Sequence, residues 1–194
     1  PLRQCYIPMD LRANHITADT QLAARVGTVL LVGEPGSGKS SLFCRLLHHL
    51  CWEVSDNPRG SRLPVHASLQ QLQPYLPEGP ETPEPLEALQ ALEAWFEKEV
   101  MLPLNTYDPR GLLTTYSSLE GQGLVVLLDG FDELPPGAFE RFERFLSALK
   151  QALAAARGKN LLVIATRDQG LEYLPEFERK GPPVTRVTLQ PFSD

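Results

Sequence analysis

The sequence predicts an α/β fold with three layers, in which a mainly parallel sheet of five strands is covered by helices on both faces. Two observations support this prediction. Short apolar runs alternate along the chain with longer segments of helical period. Polar residues follow three of these runs directly, at the edge where parallel strands end. The predicted strands cover residues 28–32, 63–67, 124–128, 161–165 and 184–189, the last being more polar and therefore nearer an edge.

The first strand leads into a glycine-rich loop. Residues 33–40 have the sequence Gly-Glu-Pro-Gly-Ser-Gly-Lys-Ser and precede a helical pattern. Strand, glycine loop and helix are the context of a phosphate-binding loop, because glycines let backbone N–H groups curl toward phosphates. In such a loop Lys39 would reach the β- and γ-phosphates, and the Ser40 hydroxyl would ligate Mg²⁺. The predicted nucleotide-binding residues are Gly33, Glu34, Pro35, Gly36, Ser37, Gly38, Lys39, Ser40 and Ser41.

The segments between the strands carry helical patterns. Apolar residues recur at helical spacing after the glycine loop and predict a helix with an inner face of Leu42, Phe43, Leu46, Leu47 and Leu50. Residues 68–71, Ser-Leu-Gln-Gln, match a capping box and predict the start of a short helix. A further short helix is predicted from Pro109 to Leu119. A long amphipathic helix follows Pro136 and ends before Gly158.

Residues 77–85 form an acidic, proline-rich segment with the sequence Pro-Glu-Gly-Pro-Glu-Thr-Pro-Glu-Pro. It offers too little apolar material to pack, so we expect a flexible loop. A helical pattern resumes at Leu86. The segment is therefore interpreted as an insertion within a single domain that covers residues 1–194.

The third strand ends at Asp129, 90 residues after Lys39, and is followed by Asp132 and Glu133. A nucleotide hydrolase needs an acid at this place to hold Mg²⁺, usually through water, and we assign that role to Asp129. Turnover also requires an acceptor that orients a water toward the γ-phosphate. Either Asp132 or Glu133 could act in this way, and the sequence does not choose between them. Alternatively, both belong to the acidic first turn of the next helix.

The fourth strand ends in Thr166-Arg167. A guanidinium at this edge of the sheet could contact the γ-phosphate and so distinguish ATP from ADP. The alternative for Arg167 is a surface salt bridge.

Composition restricts the class of protein. The net charge of −6 gives no electrostatic signal for nucleic-acid binding. The three cysteines, Cys5, Cys44 and Cys51, are an odd and sparse set that does not suggest a disulfide framework, so we expect a reducing compartment. No apolar run approaches the ~20 residues of a membrane span. Because the chain starts at Pro1 rather than methionine and ends at Asp194 without sign of a finished terminus, we expect a fragment of a longer protein.

The glycine loop together with residues 127–134, Leu-Leu-Asp-Gly-Phe-Asp-Glu-Leu, resembles the NACHT domain of the STAND class of P-loop NTPases. A small residue directly after the metal-binding aspartate, with two acids further on, distinguishes that family. Thr166-Arg167 resembles its sensor-1 arginine. The lead-in Tyr6-Ile7-Pro8 and the closing segment 187–192 also match. One departure is Asp168, which stands where the family often has proline.

The resemblance implies a P-loop NTPase fold with the sheet order 2-3-4-1-5. It implies a cytoplasmic switch in immune-type or related signalling, in which ADP holds the closed form and ATP with Mg²⁺ supports homo-oligomerisation. Effector and sensor domains would lie outside this chain, and the fragment alone could remain monomeric. The family's helical and winged-helix domains are not in this chain, so we expect slow hydrolysis by the fragment.

Two alternative functions stay open at this point. The first is an interaction module that retains ADP as a structural element and barely turns over. The second is a mechanochemical ATPase of the AAA type, which would need an arginine that reaches a neighbouring subunit. Candidates by position are Arg141, Arg144 and Arg157, whose simpler interpretation is a solvated helix face.

Overall fold

A computed structural model describes residues 11–12, 22–79, 81–101 and 110–189. The predicted strands are all present, as β1 Gly27–Val32, β2 Leu63–Ser68, β3 Leu124–Asp129, β4 Leu161–Thr166 and β5 Val184–Leu189. They are parallel and lie in the order 2-3-4-1-5, which confirms the predicted order. Strand β5 ends this order, and a two-residue strand, Leu11–Arg12, pairs antiparallel with its outer side. The lead-in at residues 6–8 and residues 190–192 of the closing segment lie outside the described residues.

Helices cover the sheet on both faces. The α-helices are α1 Lys39–Asp56, α2 Leu69–Leu72, α3 Pro85–Trp95, α4 Leu112–Ser118, α5 Phe139–Ala155, α6 Asp168–Leu171 and α7 Pro175–Arg179. Short 3₁₀ turns cover Gln73–Tyr75, Phe131–Glu133 and Pro136–Ala138, and a π-helix extends α3 over Phe96–Met101. In the part of the chain that the structure describes, no helix has the length and hydrophobicity to cross a membrane.

One local prediction is confirmed only in part: α2 begins directly after Ser68, but the expected capping hydrogen bond is absent. The N-cap residue of α2, Ser68, makes no side-chain hydrogen bond to its helix. The capping box lies instead at α3, where Glu84 and Glu87 cap each other's backbone, with the Glu84 N–H 2.9 Å from Glu87 Oε2. A glutamate can therefore serve at an N-cap where the usual residues are Ser, Thr, Asp and Asn.

Each strand divides its side chains between two hydrophobic cores. In β1, Leu30 and Val32 face a large core that contains α3 and α5, whereas Val29 and Leu31 face a smaller core against α1. Strands β3 and β4 alternate in the same way, and nearly all their side chains are buried. Burial on both faces explains why these strands are continuous apolar runs in the sequence.

Helix α7 is held at both ends by side chains of α5. Glu143 Oε1 accepts the N–H groups of Glu176 and Phe177, at 2.8 and 3.2 Å. Two turns further along α5, Lys150 donates to the carbonyls of Phe177 and Lys180. A carboxylate at the N-terminal end and an ammonium at the C-terminal end both suit the polarity of the helix.

Lys150 is the buried member of this arrangement. Its side chain is 1% exposed, and its ammonium lies 4.6 Å from the centre of the Phe177 ring. Burial lowers the pKa of Lys150, whereas the charge of Glu178 raises it. Without this ammonium, the buried carbonyl of Phe177 and the partly buried carbonyl of Lys180 would lose their donor.

We therefore expect Lys150→Met to lower the free energy of unfolding by about 1–3 kcal/mol, because hydrogen bonds to a charged donor are lost and the carbonyls stay buried. Urea unfolding of the two proteins measures this difference. The control is Lys159→Met at an exposed lysine. Equal midpoints for both variants would show that Lys150 does not hold α7.

Candidate functional site

The carboxyl ends of β1, β3 and β4 open into one cleft of about 280 Å³. Most of the predicted site residues meet there. The lining residues are Pro35, Gly36, Ser37, Gly38, Lys39, Ser40, Ser41, Asp129, Gly130, Asp132, Glu133 and Arg167. The remaining predicted residues, Gly33 and Glu34, lie at the start of the glycine loop and contribute carbonyls to it.

The glycine loop has the backbone shape that its sequence predicts. Gly36 and Gly38 have φ angles of 75° and 91°, in the left-handed region that favours glycine. Gly33 is required for a different reason, because a Cβ there would lie 2.6 Å from Ser37 Oγ. Ser37 is 2% exposed, and its hydroxyl has no partner among the described residues. A buried hydroxyl without a partner, in a loop whose shape depends on glycines, is consistent with a loop that binds a polar ligand.

Lys39 begins α1 and lies along the inside of the loop. Its ammonium donates to the carbonyls of Gly33 and Glu34, the latter at 3.1 Å. Burial lowers the pKa of this ammonium, and the charge of Asp132 acts in the opposite direction. The cation is therefore held at the base of the cleft, where it can face an anion.

Ser40 and Asp129 are 89 residues apart in sequence and in contact in the fold. The Ser40 hydroxyl donates to Asp129 Oδ2 at 2.8 Å, and Asp129 Oδ1 accepts the N–H of Gly130 at 2.9 Å. Gly130 has a φ of 80°, so the chain turns away immediately after the acid. A hydroxyl and a carboxylate side by side are the hard oxygen donors that Mg²⁺ prefers. These residues therefore fit a magnesium site.

The structure separates the two acids that the sequence could not distinguish. Asp132 Oδ2 lies 2.8 Å from Arg167 Nε, and the Asp132 side chain is only 11% exposed. Glu133 is exposed at the cleft, and its carboxylate has no hydrogen bond or ion pair within the described ranges. Asp132 is thus committed to the arginine, whereas the carboxylate of Glu133 is open to the cleft.

One contact to this site carried no signal in the sequence. Gln70 on α2 donates from Nε2 to the Glu133 carbonyl at 3.1 Å, across 63 residues of chain. It fastens the acid loop, residues 129–133, to the neighbouring edge of the sheet. A single exposed glutamine has no pattern that would indicate this in advance.

Two of the three arginines considered for contact with a neighbouring subunit have partners in their own chain. Arg141 donates to the carbonyls of Leu76 and Pro77, the latter at 3.2 Å, and so holds the start of the proline-rich segment. Arg144 lies 3.6 Å from Glu140 on the same helix. Arg157 is exposed beyond the end of α5.

Comparisons with known proteins identify a family and a fold. The family model described as the NACHT domain matches residues 27–194. A search of curated proteins returned no match. Among solved structures, the Aeropyrum pernix ORC2 protein in its ADP form is similar, with 14% identity and a TM-score of 0.50, over 95% of this chain and 50% of that one. The Aeropyrum pernix ORC1 protein in complex with DNA has 18% identity and a TM-score of 0.47, over 86% of this chain and 40% of that one.

The chain thus spans half or less of the length of these two structures. At such identities the similarity to ORC2 shows the fold alone. The match with the NACHT model covers most of the chain, and the similarity to the ORC2 protein agrees with the fold described above.

Below the cleft, His66 on β2 is next to the strand that carries Asp129. Its ring contacts Phe43 of α1 edge-on, with centres 5.9 Å apart, and its buried Nε2 has no partner among the described residues. Burial lowers the pKa of His66 from its ordinary value of 6.5, and the charge of Asp129 opposes this. The unfolded chain therefore takes up a proton at a higher pH than the folded one.

We expect this histidine to lower stability progressively as the pH falls below 6.5, toward its pKa in the folded state. The contribution of one proton is at most about 1.4 kcal/mol per pH unit. Urea unfolding from about pH 7.5 to 5.5 should show a smaller loss for His66→Gln than for the unmodified chain. The control is His48→Gln at an exposed position. The same pH dependence in all three proteins would contradict the assignment.

Proposed function

The chain belongs to the NACHT family of P-loop NTPases, and from this we propose that it is an ATP-hydrolysing, Mg²⁺-dependent switch domain. The observation that carries the proposal is the 2.8 Å contact between Ser40 and Asp129. It joins the glycine loop to the acid loop in a cleft that also contains Lys39 and Arg167. Membership of the family supports a nucleotide-binding NTPase module. We propose in addition that the module hydrolyses ATP, depends on Mg²⁺ and is regulated by its nucleotide.

In this proposal the glycine loop binds the phosphates. Backbone N–H groups of residues 36–41 and the N-terminal end of α1 provide positive potential, and Lys39 adds a full charge toward the β- and γ-phosphates. Ser40 and Asp129 would hold Mg²⁺, which supplies neutralisation of phosphate charge when bound. Ser41 lines the cleft beside Ser40 and extends the set of backbone donors.

Glu133 is the acid that we assign to orient the attacking water. In the part of the chain that the structure describes, its exposed carboxylate has no hydrogen bond or ion pair, whereas Asp132 is paired with Arg167. A general base must be able to accept a proton from water, which an unpaired carboxylate can do more readily than one in an ion pair. Asp132 instead orients the guanidinium of Arg167 toward the γ-phosphate.

We further propose that the nucleotide state controls homo-oligomerisation of a cytoplasmic signalling protein of the immune type. This part rests on the family, whose members act as ADP-closed and ATP-open switches with effector and sensor domains outside the nucleotide-binding core. This role is supported by the position of Arg167 in the lining of the cleft, because a guanidinium there could contact a third phosphate and so distinguish a triphosphate from a diphosphate.

We expect Lys39→Ala to abolish the stabilisation by Mg-ATP and to leave the fold intact, because the shape of the loop depends on its glycines. At a ligand concentration of 100 times Kd, binding adds about 2.7 kcal/mol of stability, or roughly 5–10 °C in Tm. Differential scanning fluorimetry with and without Mg-ATP measures this shift. Lys159→Ala, at an exposed lysine remote from the cleft, should keep the full shift. Equal shifts in Lys39→Ala and the unmodified chain would exclude the proposed phosphate role.

We expect Glu133→Gln to lower kcat by about 10²–10⁴-fold with ATP affinity retained, because the general base is lost and the shape is kept. Asp132→Asn should instead weaken the preference for ATP over ADP, because it loosens Arg167. Phosphate release under single-turnover conditions and competitive binding of the two nucleotides measure these effects. If neither substitution changes hydrolysis, neither acid is the group that positions the water. If the unmodified protein shows no measurable turnover, it is better described as a module that retains ADP.

A further inference from the structure

Gly170 lies where three parts of the site meet. It is buried in α6, three residues after Arg167. A Cβ built on Gly170 would lie 2.1 Å from Thr166 Oγ1, 3.3 Å from Phe131 Cδ1 and 3.5 Å from Asp132 Cβ. Thr166 ends β4, and the other two residues belong to the acid loop. No side chain fits at this junction unless something moves.

The requirement for glycine here is steric. Gly170 is not among the glycines with positive φ, so its backbone conformation is open to any residue. This distinguishes it from Gly130, where the φ of 80° itself favours glycine. At Gly170 only the close approach of α6 to the acid loop excludes a side chain.

The atom that a methyl group would meet is firmly held. Thr166 is 0% exposed, and its hydroxyl donates to the Arg167 carbonyl at 3.2 Å. The Gly170 N–H donates to the same carbonyl at 3.0 Å. The backbone of Arg167 is therefore fixed by the two residues that an added methyl group would force apart. The helix or Thr166 would have to shift by about 1 Å, and such a displacement can cost about 100-fold in activity.

We propose that Gly170 is a positioning residue that sets the contact between the Arg167 guanidinium and Asp132, and with it the preference of the site for a triphosphate. The preference for a triphosphate rests on the function proposed above, whereas the positioning of the ion pair does not. Gly170 is not among the residues that line the cleft. It acts by letting α6 approach the acid loop closely enough for the 2.8 Å ion pair.

The test compares the 194-residue chain with its Gly170→Ala variant in two measurements. The first is the ratio of ADP to ATP dissociation constants, which should fall toward unity by about tenfold as Arg167 is displaced. The second is the ¹⁵N–¹H NMR signal of the Arg167 Nε–H group, identified by its disappearance in Arg167→Lys. This signal should shift in Gly170→Ala because its acceptor on Asp132 moves. Gly137→Ala is the matched control, because a Cβ at Gly137 meets no atom within 4 Å.

A second substitution tests the steric cause. Thr166→Ala removes the oxygen that the new methyl group would meet, so Thr166→Ala combined with Gly170→Ala should restore the Arg167 signal toward that of Thr166→Ala alone. Thr166→Val keeps a group of the same size and should not restore it. This comparison also remains informative if Gly170→Ala alone does not fold.

The outcomes separate the two proposals. If the unmodified chain binds no nucleotide, the proposed function fails, but the NMR signal still decides the role of Gly170. If nucleotide binds, and both the affinity ratio and the Arg167 signal are the same in Gly170→Ala and Gly137→Ala, the positioning role is overturned. Equal rescue by Thr166→Ala and Thr166→Val would overturn the steric cause.

Discussion

The parallel pairing of β4 with β1 on one side and β3 on the other is the constraint on which the site depends. Val32 is opposite Thr166, and Leu128 is opposite Ile164, so the three strands end at nearly the same level. A slip of one residue would exchange the two cores, because each strand is buried on both faces. The register therefore fixes where the glycine loop, the acid loop and Arg167 begin. Hydrophobic packing on the two faces places the polar residues at the rim.

The elements that repeat a local pattern could be predicted from the sequence. Five apolar runs indicated the strands, and the glycine loop indicated the cleft. Burial and backbone conformation require particular residue types at fixed spacings, and these can be recognised in a sequence. Contacts between distant single residues could not be predicted. Glu143 and Lys150 contact α7, which lies about 30 residues later in the chain. Gly170 can pack against the acid loop only because it has no side chain. Neither kind of contact has a sequence pattern, since each depends on the distance between packed elements. The expected cap at Ser68 was wrong for a related reason: its pattern permits a cap, but the fold does not form one.

The charges in the cleft explain why a divalent ion fits the proposed function. Three carboxylates, Asp129, Asp132 and Glu133, face two cations, Lys39 and Arg167. The Asp132–Arg167 pair neutralises one charge of each sign. Lys39 then stands against two carboxylates, and a triphosphate would add several further negative charges near them. A divalent cation held by Ser40 and Asp129 would offset this repulsion, whereas a site without one would bind the phosphates against a net negative charge.

The segment after Arg167 is held from two sides. At its start, α6 packs on the acid loop through Gly170, and at its end α7 is capped by Glu143 and Lys150. Between them, Tyr173 stacks on Phe139 with ring centres 4.1 Å apart, and Phe139 contacts Phe131 of the acid loop at 5.5 Å. The first residue of α5 thus touches both the acid loop and the segment that follows the arginine. Packed interiors deform little, so Arg167 cannot shift far without moving these contacts with it. A change in what the guanidinium binds would therefore act on α5, α6 and α7 together, rather than on a single loop.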